Sequence, residues 1–220
     1  NINKDCGSTH LNMLKSFTRE NGCDVGIAFD GDADRVLFVD ENGELVDGDK
    51  VMAIIGLHLK KKNQLKNNTI VATVMSNLGF DIMAKENGIN LVKTAVGDRY
   101  VLERMLEGDY IIGGEQSGHI ILRNFNTTGD GLVTALQILS IIKESGKKLS
   151  ELASVMQIFP QVLKNARVSN SNKYRYLDDP VIAKKCVELE ETFHGEGRVL
   201  IRPSGTEPLV RVMIEGREQE

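Results

Sequence analysis

The sequence predicts an α/β protein with mixed parallel and antiparallel sheets joined by crossover helices, followed by a small C-terminal α+β domain. Between residues 69 and 112, short apolar runs alternate with segments of helical periodicity, as strands and crossover helices do in a parallel or mixed sheet. After residue 160 the pattern changes to an extended segment, one helix and two strands around a proline-bracketed turn. We therefore expect a domain boundary near residue 160.

The N-terminal part is predicted to form a helix and a small set of strands. The helix covers residues 8–21, with Ser8 or Thr9 as its cap. Strands follow at 25–29 and 36–39, with a short return strand at 45–46. The helix and the first strand look like the end of a βα unit whose beginning is missing, and we expect a chain that lacks its natural N-terminus.

The central part alternates between helices and strands. Predicted helices cover about 49–62, 78–87, 98–107 and 130–145, and a shorter helix starts after the cap Ser150. Predicted strands cover 69–74, 89–94 and 110–112, and residues 119–123 add an antiparallel edge. This order predicts a sheet with crossover helices.

The C-terminal part is predicted to be an α+β unit of its own. It contains an extended segment at 158–168, a polar loop at 169–179, a helix at 180–193 and strands at 198–201 and 209–214. We divide the chain into segments 1–39, 40–158 and 159–220.

Composition and charge exclude several classes of protein. The net charge is -4, and the only basic block, Lys60 to Lys62, is typical of an exposed helix end, so nucleic acid is not an expected partner. The apolar runs are too short to span a bilayer and no signal peptide opens the sequence, so no membrane partner is expected. The three cysteines are odd in number and unclustered, which indicates reduced thiols in a soluble cytoplasmic protein.

Three carboxylates stand at alternate positions of the aspartate loop, Asp30 to Arg35, directly after the strand at 25–29. Side chains two residues apart in extended chain project to one side, so Asp30, Asp32 and Asp34 can converge, with the small residues Gly31 and Ala33 letting the backbone curl. Such carboxylates repel one another unless a cation lies between them. Oxygen ligands suit Mg²⁺, Ca²⁺ or Mn²⁺.

Two other interpretations of the aspartate loop are available. A solvated acidic turn would need no metal. An EF-hand would use Asp30, Asp32, Asp34 and Glu41, but it requires glycine where this chain has Arg35, and helices where this chain has strands. A metal site is favoured. The arginine beside it indicates a phosphate that bridges the guanidinium of Arg35 and the metal.

Two further loops carry polar groups suited to ligand binding. The arginine loop, Arg202 to Pro208, combines a guanidinium, two hydroxyls and a glycine, which together can hold a phosphate, although it is equally typical of a rigid turn. The glycine loop, Gly113 to His119, contains Glu115 and Ser117, which suit the two hydroxyls of a sugar diol; a glycine-rich hairpin is the alternative.

Together the three loops are what a phosphosugar enzyme needs. In their order and spacing, the sequence resembles the α-D-phosphohexomutase superfamily over essentially its whole length. Within that superfamily it most resembles the bacterial phosphoglucosamine mutases, because of the segments 6–10 and 97–101 and of Gln116 in the glycine loop.

The resemblance implies four domains around a cleft, and conversion of glucosamine 6-phosphate to glucosamine 1-phosphate through a bisphosphate, for amino-sugar nucleotide and cell-wall precursor synthesis. It implies Mg²⁺ as cofactor and a phosphosugar as substrate. The implied metal ligands are Asp30, Asp32 and Asp34, with Arg35 as a charge-balancing catalytic residue. The implied substrate-binding residues are Gly97, Asp98, Glu115, Ser117, His119, Arg202, Ser204, Gly205, Thr206 and Arg211.

One departure from the family pattern concerns the nucleophile. The family's phosphoserine lies in a serine-His-Asn-Pro motif, which this sequence lacks. We expect the chain to be inactive alone and to require the missing N-terminal domains of the same enzyme; a homodimer is left open. The alternatives are a phosphomannomutase or phosphoglucomutase, or a non-catalytic phosphosugar-binding module.

Overall fold

The computed structural model describes residues 4–205 and 207–217. The chain divides into two compact units, Asn1–Gln157 and Ile158–Glu220. No helix among the described residues is both long and apolar enough to cross a membrane. The predicted fold class is confirmed, with α/β elements before residue 158 and an antiparallel sheet after it.

The first unit begins with a small antiparallel sheet. Its elements are α1 (Asn12–Glu20), β1 (Val25–Phe29), β2 (Val36–Asp40) and β3 (Leu45–Val46), with the strands in the order β1-β2-β3. Because Phe29 pairs with Val36, the six residues between them form a hairpin loop. The aspartate loop therefore closes an antiparallel hairpin.

A four-stranded mixed sheet follows in the same unit. Its strands are β4 (Thr69–Thr73), β5 (Asn90–Thr94), β6 (Ile112–Gly114) and β7 (Ile120–Leu122), in the order β5-β4-β6-β7. The pairs β4–β5 and β4–β6 are parallel, and β7 is the predicted antiparallel edge. The helices are α2 (Gly48–Lys61), α3 (Leu78–Glu86), α4 (Asp98–Glu107), α5 (Gly131–Ser145) and α6 (Leu149–Ala153).

Among the elements whose boundaries differ from the predictions are α1, α6 and β6. Helix α1 begins at Asn12, and Ser8 donates its backbone N–H to Phe29 O at 3.0 Å, so it is not the helix cap. Helix α6 begins at Leu149, and the backbone N–H of Ser150 donates to Glu41 at 3.3 Å. Strand β6 lies two residues later than predicted and includes Gly113 and Gly114, because these glycines pack closely where a side chain would overlap neighbouring atoms.

One apolar core joins the two sheets of the first unit. It includes Phe38 of β2, Ile70 of β4, Ile120 of β7 and Ile138 of α5, all fully or almost fully buried. Burying a side chain of this size stabilises the fold by about 1.5–3 kcal/mol. This shared core keeps the β1–β2 hairpin next to the β6–β7 hairpin, which carries the glycine loop.

The second unit is a three-stranded antiparallel sheet with one helix. Its elements are β8 (Gln161–Arg167), α7 (Pro180–Thr192), β9 (Gly197–Pro203) and β10 (Leu209–Gly216), with the strand order β8-β10-β9. Two 3₁₀ turns, Asn170–Asn172 and Arg175–Leu177, interrupt the predicted polar loop. Helix α7 starts with Pro180 after Asp179, whose side chain accepts hydrogen bonds from two backbone N–H groups of the first turn.

Candidate functional site

The three carboxylates of the aspartate loop lie together. Asp30, Asp32 and Asp34 each offer an oxygen within 4.8 Å of the others, and these are the ligand types of a hard divalent cation. Ala33 turns the loop with a left-handed φ of 59°, so it is this residue and not Gly31 that carries the strained conformation. Arg35 Nε lies 4.0 Å from Asp30 Oδ2, and its backbone N–H donates to Asp30 Oδ1 at 3.2 Å.

Glutamate 41, the fourth ligand that an EF-hand would need, lies elsewhere. Glu41 accepts the backbone N–H of Ser150 and is not in the aspartate cluster. The loop is also flanked by β1 and β2 rather than by helices. Both observations support the rejection of the EF-hand.

Backbone from two other segments holds the aspartate loop and the start of β2 in place. The N–H of Gly131, at the start of α5, donates to Ala33 O at 2.9 Å, and the N–H of Val36 donates to Gly118 O at 3.1 Å. A Cβ on Gly131 would lie 2.8 Å from Ala33 O, which is closer than side chains approach. Glycine at this position therefore lets α5 begin directly against the loop.

Histidine 119 connects the glycine loop to the aspartate loop. Its ring is only 4% exposed, and Nε2 accepts the backbone N–H of Gly129 at 3.1 Å. In the neutral ring the proton is consequently on Nδ1, which donates to Asp34 Oδ2 at 3.0 Å. The family resemblance implies that His119 binds substrate, whereas in the structure both of its ring nitrogens are hydrogen-bonded within the protein.

The remaining oxygen of Asp34 is the sharpest indication of a ligand. Asp34 Oδ1 is buried and has no hydrogen-bond partner within the part of the chain that the structure describes. A buried carboxylate oxygen without a partner destabilises the fold unless a cation or donor reaches it. The donor set, three carboxylates and no sulfur or nitrogen, fits Mg²⁺.

The glycine loop is the hairpin turn between β6 and β7. A glycine-rich hairpin was one of the two interpretations of this segment. Glu115 N donates to His119 O, and Gly118 N donates to Glu115 O, both at 3.0 Å. Ser117 is exposed and its hydroxyl donates to Glu115 Oε2 at 3.3 Å. The hairpin thus places the carboxylate beside the hydroxyl, an arrangement that suits neighbouring sugar hydroxyls.

Two predicted substrate-binding residues of the β5–α4 connection lie beside the glycine loop. Gly97 donates its backbone N–H to Glu115 Oε1 at 3.1 Å, in a conformation with φ 133° that favours glycine. Asp98 begins α4 and is exposed. The β5–α4 connection therefore holds Glu115 in place. It also carries a second carboxylate, Asp98, directly after Gly97 in the sequence.

The start of α2 is hydrogen-bonded to the glycine loop. Sequence reasoning did not predict this contact. Gly48 N donates to Gln116 O at 3.0 Å, and Gln116 Nε2 donates to Asp47 Oδ2 at 3.3 Å. A Cβ on Gly48 would lie 2.1 Å from Glu115 O. The sequence offers only the run Asp47 to Asp49, which is typical of a helix start and does not indicate a packing contact.

Asp49, next to this contact, is fully buried. Its Oδ2 accepts the backbone N–H of Asn77 at 2.7 Å, and its Oδ1 has no partner among the described residues. Burial, and then repulsion by Asp47, raises the pKa of Asp49 to about 7.

In the second unit, the arginine loop connects β9 to β10. Two arginines at opposed positions of these strands border it. Arg202 and Arg211 stand directly opposite each other in the antiparallel pair, and their Nε atoms are buried without a partner in the described part of the chain. Like charges at opposed positions are unfavourable. Burial, and then the neighbouring Arg211, lowers the pKa of Arg202 from its ordinary value.

The rest of the arginine loop combines a buried serine with open space. Ser204 is almost fully buried, its N–H donates to Leu209 O at 2.9 Å, and its hydroxyl accepts the N–H of Glu207 at 3.2 Å. Gly205 has no atom within 4 Å of the position that a Cβ would take. Thr206 lies outside the described residues. The loop thus combines an exposed glycine with an arginine on each of its two strands, and these are groups suited to an anion.

Family comparisons cover nearly the whole chain. Residues 47–159 match phosphoglucomutase/phosphomannomutase alpha/beta/alpha domain III, residues 163–220 match the C-terminal domain, and residues 3–43 match alpha/beta/alpha domain II. The chain is 70% identical over 220 residues to a phosphoglucosamine mutase of Acetivibrio thermocellus, and 67% identical to that of Ruminiclostridium cellulolyticum. It covers 49% of each relative, so it spans about half their length.

Solved structures share the fold. An N-acetylphosphoglucosamine mutase of Aspergillus fumigatus, solved in complex with GlcNAc-6P and magnesium, is similar with a TM-score of 0.74 at 20% sequence identity, over 98% of this chain and 50% of that protein. The matched family models and the similarity to curated phosphoglucosamine mutases agree with the resemblance seen in the sequence. The chain belongs to the phosphoglucomutase/phosphomannomutase family.

Proposed function

We propose that this chain is the sugar-binding and phosphate-binding half of a phosphoglucosamine mutase, which interconverts glucosamine 6-phosphate and glucosamine 1-phosphate through a bisphosphate. In this proposal residues 1–39 are a part of domain II, residues 40–158 are domain III and residues 159–220 are domain IV. The family models at 3–43, 47–159 and 163–220 support this division.

The observation that carries the proposal is the aspartate cluster with its buried, unpartnered Asp34 oxygen. Asp30, Asp32 and Asp34 would hold Mg²⁺, which when bound neutralises charge on the phosphoryl group being transferred. Arg35, whose guanidinium lies 4.0 Å from Asp30, balances the remaining negative charge. Phosphoryl transfer needs little more from a protein than such positioning and charge.

The sugar is held by the glycine loop and the adjacent β5–α4 connection. Glu115 accepts hydrogen bonds from sugar hydroxyls, and Ser117 exchanges its bond to Glu115 for one to the sugar. Gly97 keeps Glu115 oriented through its N–H, and Asp98 provides a carboxylate suited to the ammonium group of an amino sugar. His119 acts on this site by holding Asp34 rather than the sugar.

The phosphate that does not react is held by the arginine loop. Arg202 and Arg211 supply paired guanidinium groups, and Ser204, Gly205 and Thr206 supply hydroxyl and backbone donors. An anion there relieves the repulsion between two opposed, partly buried cations.

A hybrid enzyme tests the proposal. The remainder of the Acetivibrio thermocellus relative is joined to this chain, and turnover is measured with glucosamine 6-phosphate, glucose 6-phosphate and mannose 6-phosphate. We expect turnover to be fastest with the amino sugar, and this chain alone to show none because it lacks the serine-His-Asn-Pro motif.

The other functions give different results in the same assay. Faster turnover of glucose or mannose phosphate would assign the chain to the phosphoglucomutase or phosphomannomutase branch. A folded hybrid that binds glucosamine 6-phosphate but turns over none of the three sugars would support a non-catalytic phosphosugar-binding module. The intact relative serves as the positive control.

A further inference from the structure

A buried lysine outside the arginine loop donates a hydrogen bond to it. Lys173 is only 8% exposed, and its Nζ donates to the backbone carbonyl of Ser204 at 2.9 Å. The two residues are 31 positions apart in sequence, so the contact ties the polar segment at 169–179 to the loop between β9 and β10. No motif in the sequence had indicated this contact.

The burial pattern of this segment is the reverse of the usual one. Tyr174 and Leu177 are 63% and 64% exposed, while Lys173 beside them is buried. Hydrophobic burial would select the tyrosine or the leucine for the interior and leave the lysine in water. A buried ammonium therefore needs a reason other than packing.

No carboxylate compensates the charge of Lys173 within the described residues. The ion pairs found in residues 158–205 and 207–217 do not include it, whereas buried Glu215 in the same unit pairs with Arg198. A buried ammonium without a counter-charge destabilises a fold. Arg202 and Arg211 add two more cations along the same loop, with only Glu207 paired to Arg211.

Further hydrogen bonds attach the segment around Lys173 to the same loop and to strand β9. Val168 N donates to Pro208 O at 3.1 Å, and Tyr176 Oη donates to Ile201 O at 3.3 Å. Lys173 lies between these two attachments and reaches the carbonyl of Ser204. Its ammonium is thereby held at the carbonyl of Ser204, and the next residue, Gly205, has no atom within 4 Å of an added Cβ.

We propose that Lys173 is a positioning residue of an anion site for a phosphate monoester: it holds the Ser204 carbonyl, orients the backbone of the arginine loop and supplies positive charge that the bound phosphate compensates. The inference rests on the proposed phosphate-binding function of this loop. It adds a residue outside the loop that contributes through its hydrogen bond to Ser204 and through its charge.

Replacing Lys173 with methionine in the 220-residue chain tests the proposal. Calorimetric titration with inorganic phosphate and with glucosamine 6-phosphate measures affinity, and scanning calorimetry without ligand measures stability. We expect binding to weaken about tenfold, because one buried charge near the anion is lost. We expect the ligand-free Tm to stay the same or rise, because an uncompensated buried charge is removed.

Three control variants separate the causes. Lys184→Met removes the same charge from α7, where the ammonium faces Glu188 at 3.7 Å, and should bind as the unchanged chain does. Lys173→Gln keeps an N–H donor without the charge and should also bind more weakly, and it replaces Lys173→Met if that variant does not fold. Lys173→Arg keeps both charge and donor and should restore most of the affinity.

Two results would overturn the inference. Unchanged affinity in Lys173→Met and Lys173→Gln would do so, as would a lowered ligand-free Tm with unchanged affinity, which is the signature of a purely structural lysine. Arg202→Met distinguishes failure of the loop itself: if the unchanged chain binds neither ligand, or if Arg202→Met binds both as well as the unchanged chain, the phosphate-binding function is wrong and the role of Lys173 falls with it.

Discussion

The aspartate loop of the first unit is held to neighbouring segments by main-chain hydrogen bonds, whereas the arginine loop of the second unit is also supported by a lysine side chain. Val36 and Gly131 connect the aspartate loop by main-chain hydrogen bonds to the glycine loop and to α5, with glycines packed where no side chain fits. At Gly205, by contrast, nothing lies within 4 Å of an added Cβ. Close packing of glycines therefore limits the position of the aspartate loop, and no such packing limits the arginine loop at Gly205.

The two loops also leave opposite charges unsatisfied. Asp34 Oδ1 is a buried acceptor without a partner, and the Nε atoms of Arg202 and Arg211 are buried donors without one, among the residues described. Each arrangement is strained without its ligand and relieved by it, so a divalent cation should stabilise the first unit and a phosphate the second. Comparing the two units under changes of pH, packing and charge tests this contrast.

The largest expected effect is a pH dependence confined to the first unit. Burial, followed by repulsion from Asp47, raises the pKa of Asp49 from 3.8 to about 7, so between these pH values the folded chain holds a proton that the unfolded chain has released. Stability therefore falls as pH rises from about 4 to about 7, by on the order of 4 kcal/mol, and changes little from this group above that range.

The Asp49→Asn variant checks this dependence. It keeps an oxygen for the backbone N–H of Asn77 but cannot ionise, so denaturant unfolding of the first unit should lose most of its decline between pH 4 and 7. Hydrogen exchange assigns the change to residues of one unit. An equal decline in the variant would mean that other groups cause the pH dependence.

The second largest expected difference between the two units concerns packing. Gly48→Ala places a Cβ 2.1 Å from Glu115 O, so the glycine loop must shift, and we expect about 3 kcal/mol of destabilisation by overpacking. Gly205→Ala meets open space and is the matched control, with a change within about 0.5 kcal/mol. Urea unfolding of both variants is the measurement, and similar losses would show that both loops are packed alike.

The smallest expected effect concerns metal affinity without loss of stability. Asp32→Asn removes one exposed carboxylate of the cluster, and we expect Mg²⁺ to bind this chain about tenfold more weakly while the fold stays intact, because repulsion among the aspartates decreases. Calorimetric titration and thermal unfolding measure both quantities. Asp24→Asn, at an exposed position outside the cluster, is the control; if both variants bound Mg²⁺ equally, or if Asp32→Asn unfolded the chain, the aspartates would be structural.

Local pattern predicted most of the elements and the residues of the aspartate cluster. Strand β1 and helix α4 have the predicted boundaries, because apolar periodicity and glycine stops are encoded within ten or so residues. The position of β6 was wrong by two residues, because Gly113 and Gly114 resemble loop residues and belong to the strand only through their close packing.

Contacts between distant segments were not predictable from the sequence. The hydrogen bonds of His119 to Asp34 and of Lys173 to Ser204 join residues 85 and 31 positions apart, and neither follows from spacing or composition. The assignment of His119 to substrate binding rested on family resemblance, which carries residue identity but not hydrogen-bond partners. The roles of the other site residues stay predictions until the variants are measured.

The separation between Asp34 and His119 along the chain also predicts an order of events in folding. The three aspartates lie within five residues of one hairpin, so their carboxylates come together as soon as β1 pairs with β2. The hydrogen bond that orients Asp34 must wait until the chain has closed a loop of 85 residues. An ion that reaches the chain early therefore meets a loosely held acidic turn, and the rigid coordination site exists only after the β6–β7 hairpin has docked.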